Sequence, residues 1–396
     1  MRGVSTVCLE CGARTPGISP RCPRCGGLAV LELEDPRWSV RREVPSMWRY
    51  AGLLPGFPRV VSLGEGMTPV RRVGSALVKF EGRNPTGSYA DRASSVVASY
   101  LASSGQEGTI RIEYSEDFAY SAARYLRGIA DAEVWIADPS RIDPQEVVAL
   151  VGLGAGIRFG HARDALTYSN SLAVEGLKTI ALEALERLPR IDRVFVPAET
   201  GLLALSVWKG LRDAGEAGAD ARPEVHAAVI RGTAWPELLR RIEGVTLHEV
   251  DPEKAVEGIV RLARAGIRAK VLSAAAFALA EAMGGGLAIV TASQRRVQPG
   301  PRRPGLAEDV LRVVREMGEA SAYEAWGRLR GRTLRGVYKA IESLEEDGRL
   351  CARYVMRGNR RVKVYFDCGT AGVTPRRARS RAWAPRRGHG ASWGAL

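Results

Sequence analysis

From Arg59 to about Val290 the chain alternates short β-branched runs with longer amphipathic stretches, a pattern that restricts it to a mostly parallel, doubly wound α/β architecture. Strands are expected at Leu77–Phe80, Thr109–Ile112, Glu133–Ala137, Arg193–Val196, Val225–Ile230 and Leu287–Val290. Helices are expected at Tyr89–Leu101, Ala119–Gly128, Pro144–Leu153, Ala173–Leu188, Leu202–Asp213 and Pro252–Ala265. In such sheets ligands bind where strands hand over to helices, so the chemistry should lie in those turns. A chain of 396 residues exceeds one compact core, and further units are expected on either side.

At the N-terminus, Cys8, Cys11, Cys22 and Cys25 read C-x2-C-x10-C-x2-C, with Gly12 and Gly26 following the two pairs. Two residues between thiolates let both sulfurs of a pair converge on one tetrahedral ion, and the glycine permits the tight turn behind them. A structural zinc ion is expected, two disulfides being the alternative. Cys351 and Cys368 read as lone thiols that serve packing.

The C-terminal part begins with Leu306, Val310, Val313, Val314 and Met317 on one helical face. Ser321 and Glu324 form a capping box that opens a second helix. Thr333 caps a third, with Leu334, Val337, Ile341 and Leu344 at helical spacing and Gly348 as its stop. Residues Leu350–Phe366 read as a hairpin tipped by Arg357, Gly358, Asn359, Arg360 and Arg361. Together these predict a winged helix-turn-helix whose third helix resembles that of the PadR-like regulators. Arg332, Thr333, Arg335 and Lys339 would enter the DNA major groove, while Arg357, Arg360, Arg361 and Lys363 would meet phosphate or the minor groove. Dimerisation or domain docking is the competing use of such a unit.

Charge supports a polyanionic partner for that end. Residues 1–294 carry 35 basic and 34 acidic side chains, so nearly all of the net charge of +14 lies beyond them. The expected organisation is a zinc ribbon (1–30), a linker (31–58), the α/β body (59–293), a Pro/Gly/Arg linker (294–305), the winged helix (306–368) and a basic disordered tail (369–396). No signal peptide is read at Met1–Cys8, and no apolar run, Leu272–Met283 included, is long enough to span a bilayer. A cytoplasmic protein is the expectation.

The segment Asn84-Pro85-Thr86-Gly87-Ser88-Tyr89-Ala90-Asp91-Arg92 resembles the lysine motif of threonine synthases, fold-type-II pyridoxal-phosphate enzymes in which it reads NPTGSxKDR. Ser62–Pro69 is similar to their SLGEGxTP turn, Glu175–Glu183 to their EGxKTIAxE helix start, and Ser273–Ala276 to a small-residue helix near the end of the domain. The resemblance covers residues 1 to about 366. It implies two subdomains like those of tryptophan synthase β, a zinc ribbon and winged helix as in archaeal relatives, and possible homodimers.

Three departures accompany the resemblance. The position of the lysine that bonds the cofactor aldehyde holds Ala90, and neither Lys79 nor the helical Lys178 and Lys209 is an obvious substitute. The turn after Ile112 reads Tyr114-Ser115-Glu116-Asp117-Phe118 where the family has Ser/Thr-Gly-Asn. The phosphate loop, Gly-Asn-Gly-Gly in the family, reads Ala198-Glu199-Thr200-Gly201. Asn84, Ser88, Ser115, Asp117, Glu199, Gly201 and Thr291 are therefore expected to be vestigial cofactor positions, with pyridoxal phosphate unlikely and no catalytic residue. The pocket has either collapsed into core or takes a cationic or amino-bearing small molecule through Glu116, Asp117 and Glu199. The first functional expectation is a non-catalytic DNA-binding regulator with a possible sensing body. The alternatives are a pyridoxal-phosphate enzyme acting on O-phosphohomoserine, and a non-catalytic partner of an active paralogue.

Overall fold

The computed structural model describes residues 3–106, 108–188, 190–219, 223–292, 306–329, 331–346 and 349–368. The expected linker at 294–305, the tail at 369–396 and the helix stop at Gly348 lie outside them. The chain divides into two compact units near residue 300.

The first unit opens with an antiparallel sheet of β1 (Val4–Cys8), β2 (Arg14–Pro16) and β3 (Ala29–Leu33), ordered β2-β1-β3. Next come β4 (Val70–Val73), β5 (Ala76–Phe80), α1 (Ala90–Ser103), β6 (Thr109–Glu113), α2 (Phe118–Leu126), β7 (Asp131–Ile136), α3 (Pro144–Gly152) and β8 (Gly156–Phe159). The unit continues through α4 (Ser171–Arg187), β9 (Arg193–Pro197), α5 (Leu202–Glu216), β10 (Glu224–Ile230), β11 (Val245–Val250), α6 (Pro252–Arg264), α7 (Val271–Ala282) and β12 (Gly286–Val290). Six strands form one sheet, β11-β10-β9-β12-β5-β4, parallel except where β4 meets β5, and β6-β7-β8 form a smaller parallel sheet.

All six expected strands and six expected helices occur, with ends displaced by at most three residues. Strands β4, β8 and β11 lie at sheet edges, where a strand need not be apolar throughout; Phe159 at the end of β8 is 69% exposed. Residues 31–58 are not a linker. Met47, Trp48, Tyr50, Leu53 and Leu54 are buried, Trp48 Nε1 donates to Ser95 Oγ at 2.9 Å, and the Tyr50 hydroxyl donates to Glu186 at 2.5 Å. Polar linker-like stretches between those residues hid an apolar strap that closes over α1 and α4.

Helix α4 packs tightly against α1 at Gly176. A methyl there would run into the Arg92 carbonyl oxygen and lie 2.8 Å from the Ala93 Cα. Gly176→Ala is expected to destabilise the body by about 1–3 kcal/mol through forced separation of two buried helices, read as a fall in melting temperature. An unchanged melt would mean that the helices do not meet there.

The second unit holds α8 (Leu306–Met317), α9 (Ala322–Arg328), α10 (Leu334–Glu346) and an antiparallel hairpin of β13 (Leu350–Arg357) and β14 (Arg360–Asp367). Its core gathers Val310, Leu311, Val314, Val337, Ile341, Leu344, Leu350 and Tyr365. The capping box at Ser321 and Glu324 is present. Cys351 and Cys368 are bonded to each other, which corrects their reading as separate packing thiols. The hairpin register pairs Cys351 with Phe366, so Cys368, two residues further on, is its diagonal neighbour across the base of the ladder. Among the described residues no helix is long and apolar enough to cross a membrane.

Candidate functional site

The turns that follow β5, β6, β9 and β12 converge at the carboxyl ends of the strands. After β12, Ala292 bridges to Ser88, and the Thr291 carbonyl accepts the Tyr89 amide at 2.8 Å, next to Ala90. The Thr291 amide donates to Ser273 Oγ at 3.2 Å, and the two hydroxyls are 2.9 Å apart. Ser273 sits in the first turn of α7, three residues beyond Lys270, which caps that helix. Lys270 Nζ donates to Glu116 and to Asp117, both at 2.6 Å, in the turn after β6. The turns that carry Ala90, Thr291 and Ser273 thus adjoin one another, and the start of α7 leads from Ser273 back to Lys270 and its partner Asp117.

Aromatic rings line the same region. The Tyr89 and Tyr168 hydroxyls lie 3.0 Å apart, and Phe118 packs on Tyr168 with centroids 5.6 Å apart. Burial raises the pKa of both phenols, and the negative charges of Asp117 and Glu199 raise them further, so both stay protonated. Asp117 itself adopts φ 70°, a conformation that costs a non-glycine residue about 1–3 kcal/mol. Its amide and that of Tyr120 donate to the fully buried Glu146 carboxylate at 3.1 and 3.2 Å. Burial pulls the Lys270 pKa down, but Asp117 and Glu116 overcome it, so the net shift is upward.

The expected site residues separate in this geometry. Ser88, Ser115, Asp117, Glu199, Gly201 and Thr291 lie on the converging turns, and Ala90 is fully buried at the start of α1. Asn84 does not face them: its amide donates to Glu81 and its carbonyl oxygen accepts the Gly66 amide at 2.8 Å. Glu199 is exposed and pairs with Arg141 at 3.4 Å. Lys270, Arg141 and Glu146 were missed from sequence. They come from distant segments and carry no motif, although a lone lysine just before an Ala-rich helix was a visible oddity.

Two further sets of expected residues lie elsewhere. The sulfurs of Cys8, Cys11, Cys22 and Cys25 all lie within 4.8 Å of one another, and Cys8 Sγ accepts the Glu10 and Cys11 amides at 3.3 and 3.4 Å. The Cys8–Cys25 and Cys11–Cys22 separations of 3.5 and 3.7 Å approach the edge of a tetrahedral thiolate set, about 3.8 Å for zinc–sulfur bonds of about 2.3 Å. In the second unit, Thr333, Arg335, Lys339, Arg360 and Arg361 are exposed. Arg332, Arg357 and Lys363 instead pair with Asp309, Glu324 and Glu345, which lowers their value as anion contacts.

The family model for pyridoxal-phosphate dependent enzymes matches residues 61–292. A threonine synthase of Methanosarcina acetivorans is 25% identical over 52% of this chain and 59% of its own length. One of Methanocaldococcus jannaschii is 27% identical over 52% of this chain and 60% of its own. The chain thus spans about three-fifths of the length of these curated relatives. Among solved structures, the processed form of threonine deaminase isoform 2 from Solanum lycopersicum matches with TM-score 0.49 at 15% identity, over 58% of this chain and 80% of that one.

These matches overturn the expectation that pyridoxal phosphate is unlikely: they point to it as the cofactor. The donor set fits such a group. Lys270 offers a partly accessible amine, and Thr291 and Ser273 offer a hydroxyl pair at the end of β12. Gly201 opens α5 at φ 84°, with the Leu202 amide 3.4 Å from Thr200 Oγ1 and with Leu239 and Pro236 packed against the glycine. The misreading took Glu116, Asp117 and Glu199 as unbalanced charges, whereas Lys270 and Arg141 balance them. With the family model covering more than half of its length, this chain belongs to the pyridoxal-phosphate-dependent enzyme family.

Proposed function

We propose that the chain is a pyridoxal-phosphate-binding regulator, in which a body related to threonine synthases is joined to a DNA-binding winged helix. The observation that carries this reading is Ala90. If the threonine-synthase resemblance aligns it with the lysine, a fully buried methyl stands where an amine must shuttle protons at the substrate carbons. Turnover of O-phosphohomoserine is therefore expected to be absent, while the cofactor still occupies the cleft as a ligand. The four N-terminal cysteines are read as a structural zinc site, since four sulfurs leave no open coordination position for catalysis.

The DNA reading is supported by the exposed Arg335 and Lys339 on α10 and Arg360 and Arg361 at the hairpin tip. Four such phosphate contacts imply an affinity that falls roughly a hundredfold between 50 and 200 mM salt. Gel shifts with the promoter DNA of its own gene test this, comparing the full chain, a chain ending at Gly300, and Arg360→Ala/Arg361→Ala. The truncated chain should lose binding and the double variant should show a shallower salt slope. Retention that survives the truncation would refute the DNA role.

A further inference from the structure

We propose that Lys270 is the amine of this chain that bonds the aldehyde carbon of pyridoxal phosphate, a role displaced from position 90 to the start of α7. The inference rests on the cofactor reading above and names the residue that would retain the group.

Elimination among the lysines of residues 61–292 comes first. There are five: Lys79, Lys178, Lys209, Lys254 and Lys270. Lys79 is sealed in the core, its side chain 1% exposed and bound to Glu183 at 2.8 Å and to Thr68 at 2.7 Å. Lys178 and Lys209, 0% and 2% exposed, are locked onto Glu175 and Asp213 between α4 and α5. Lys254 is an exposed residue of α6, paired with Glu257 one turn along the same helix and following the edge strand β11. Lys270 alone of the five combines a 30% accessible side chain with a place among the strand-end turns.

Its surroundings suit the chemistry. Lys270 is three residues from Ser273, whose hydroxyl meets Thr291, whose carbonyl in turn holds the amide next to Ala90. The amine lies against the turn after β6, entering from α7 rather than α1, at the strand-end turns where the resemblance places the family's ligand. Asp117 Oδ2, 2.6 Å away, is placed to take a proton from the ammonium. The neutral nitrogen then adds to the aldehyde carbon, and a carbon–nitrogen double bond forms as the aldehyde oxygen leaves. Of the three ammonium hydrogens, one remains on nitrogen and two depart with that oxygen as water, one of them by way of Asp117. The nitrogen keeps its positive charge, so its pairing with Asp117 and Glu116 survives the reaction.

The test uses the full chain and reads a covalent label rather than activity. Binding of pyridoxal phosphate is measured by equilibrium dialysis; the complex is then reduced with borohydride, digested and mapped by mass spectrometry. One label per chain on the Lys270 peptide is expected. Lys270→Arg, which keeps a cation against Glu116 and Asp117, should retain the fold and some dialysable cofactor yet lose that label. Three results overturn the proposal. Bound cofactor with no label at Lys270 would leave cofactor binding intact and sink only the lysine assignment. Label spread over Lys254 and other exposed lysines, unchanged by Lys270→Arg, would sink it too. Failure of dialysis to detect any binding would sink both this inference and the cofactor reading, while leaving the gel-shift result to stand or fall separately.

Discussion

If the four N-terminal sulfurs hold zinc as proposed, Cys22→Ser is expected to abolish its binding and to unfold the first thirty or so residues, the largest single-site effect we foresee. Residues 1–33 build three strands of five, three and five residues, too little for a core of their own. Structural zinc contributes about 10–16 kcal/mol of apparent folding free energy in small zinc peptides, so losing one thiolate of the proposed site would remove most of what holds the sheet. The damage should spread, because Leu31 packs with Met47, Trp48, Val96 and Leu172, and Ser171 bonds back to Ser19 and Pro20. Zinc content, tryptic cleavage within residues 1–33 and Trp48 fluorescence should all change together. A variant with full zinc and an unaltered melt would show that the four sulfurs are not ligands.

Arg92→Ala is expected to destabilise the body by about 3–5 kcal/mol, the range for stripping one partner from a buried ionic cluster. Arg92 is fully buried, with Nε 2.7 Å from Glu81 Oε2 and Nη2 2.7 Å from Glu183 Oε2. Lys79 reaches Glu183 at 2.8 Å and Arg187 reaches it at 3.1 Å, so removing the guanidinium leaves the buried Glu81 with Lys79 alone, an ammonium it shares with Glu183. The cluster also makes stability depend on pH. Burial pushes the Glu81 carboxyl upward, but Arg92 and Lys79 win and hold it at about 2, against the ordinary 4.5 of a glutamate. Glu183 is lowered by the same two cations. A folded pKa below the unfolded one means that this stabilisation is complete above about 4.5 and drains away as pH falls toward about 2. Acid titration followed by circular dichroism should place the loss in that window. In Arg92→Ala, where the carboxylates lose their strongest partner, the acid transition should move to higher pH. An acid midpoint identical in both proteins would mean the cluster makes no net contribution.

The cysteine set is local in the chain whereas the Arg92 cluster joins residues up to 104 positions apart, and that difference separates what could be read in advance from what could not. The cysteine pairs lie within 17 residues of one another, so their convergence followed from spacing alone. The βα alternation predicted the central strands and their helices because burial on both faces demands near-continuous apolar runs. The site's turns were equally legible, since strand ends in such sheets are where loops gather.

What the amino-acid order by itself could not supply was pairing at long range. Lys270 and Asp117 are 153 residues apart, and Arg141 and Glu199 are 58 apart, so the three acids of the cleft looked uncompensated until the fold brought their cations to them. The strap at residues 47–54 and the Cys351–Cys368 bond belong to the same class. Local pattern reports which face of an element is apolar; which charge meets which is decided by how elements pack, and a salt bridge leaves no periodicity in the chain.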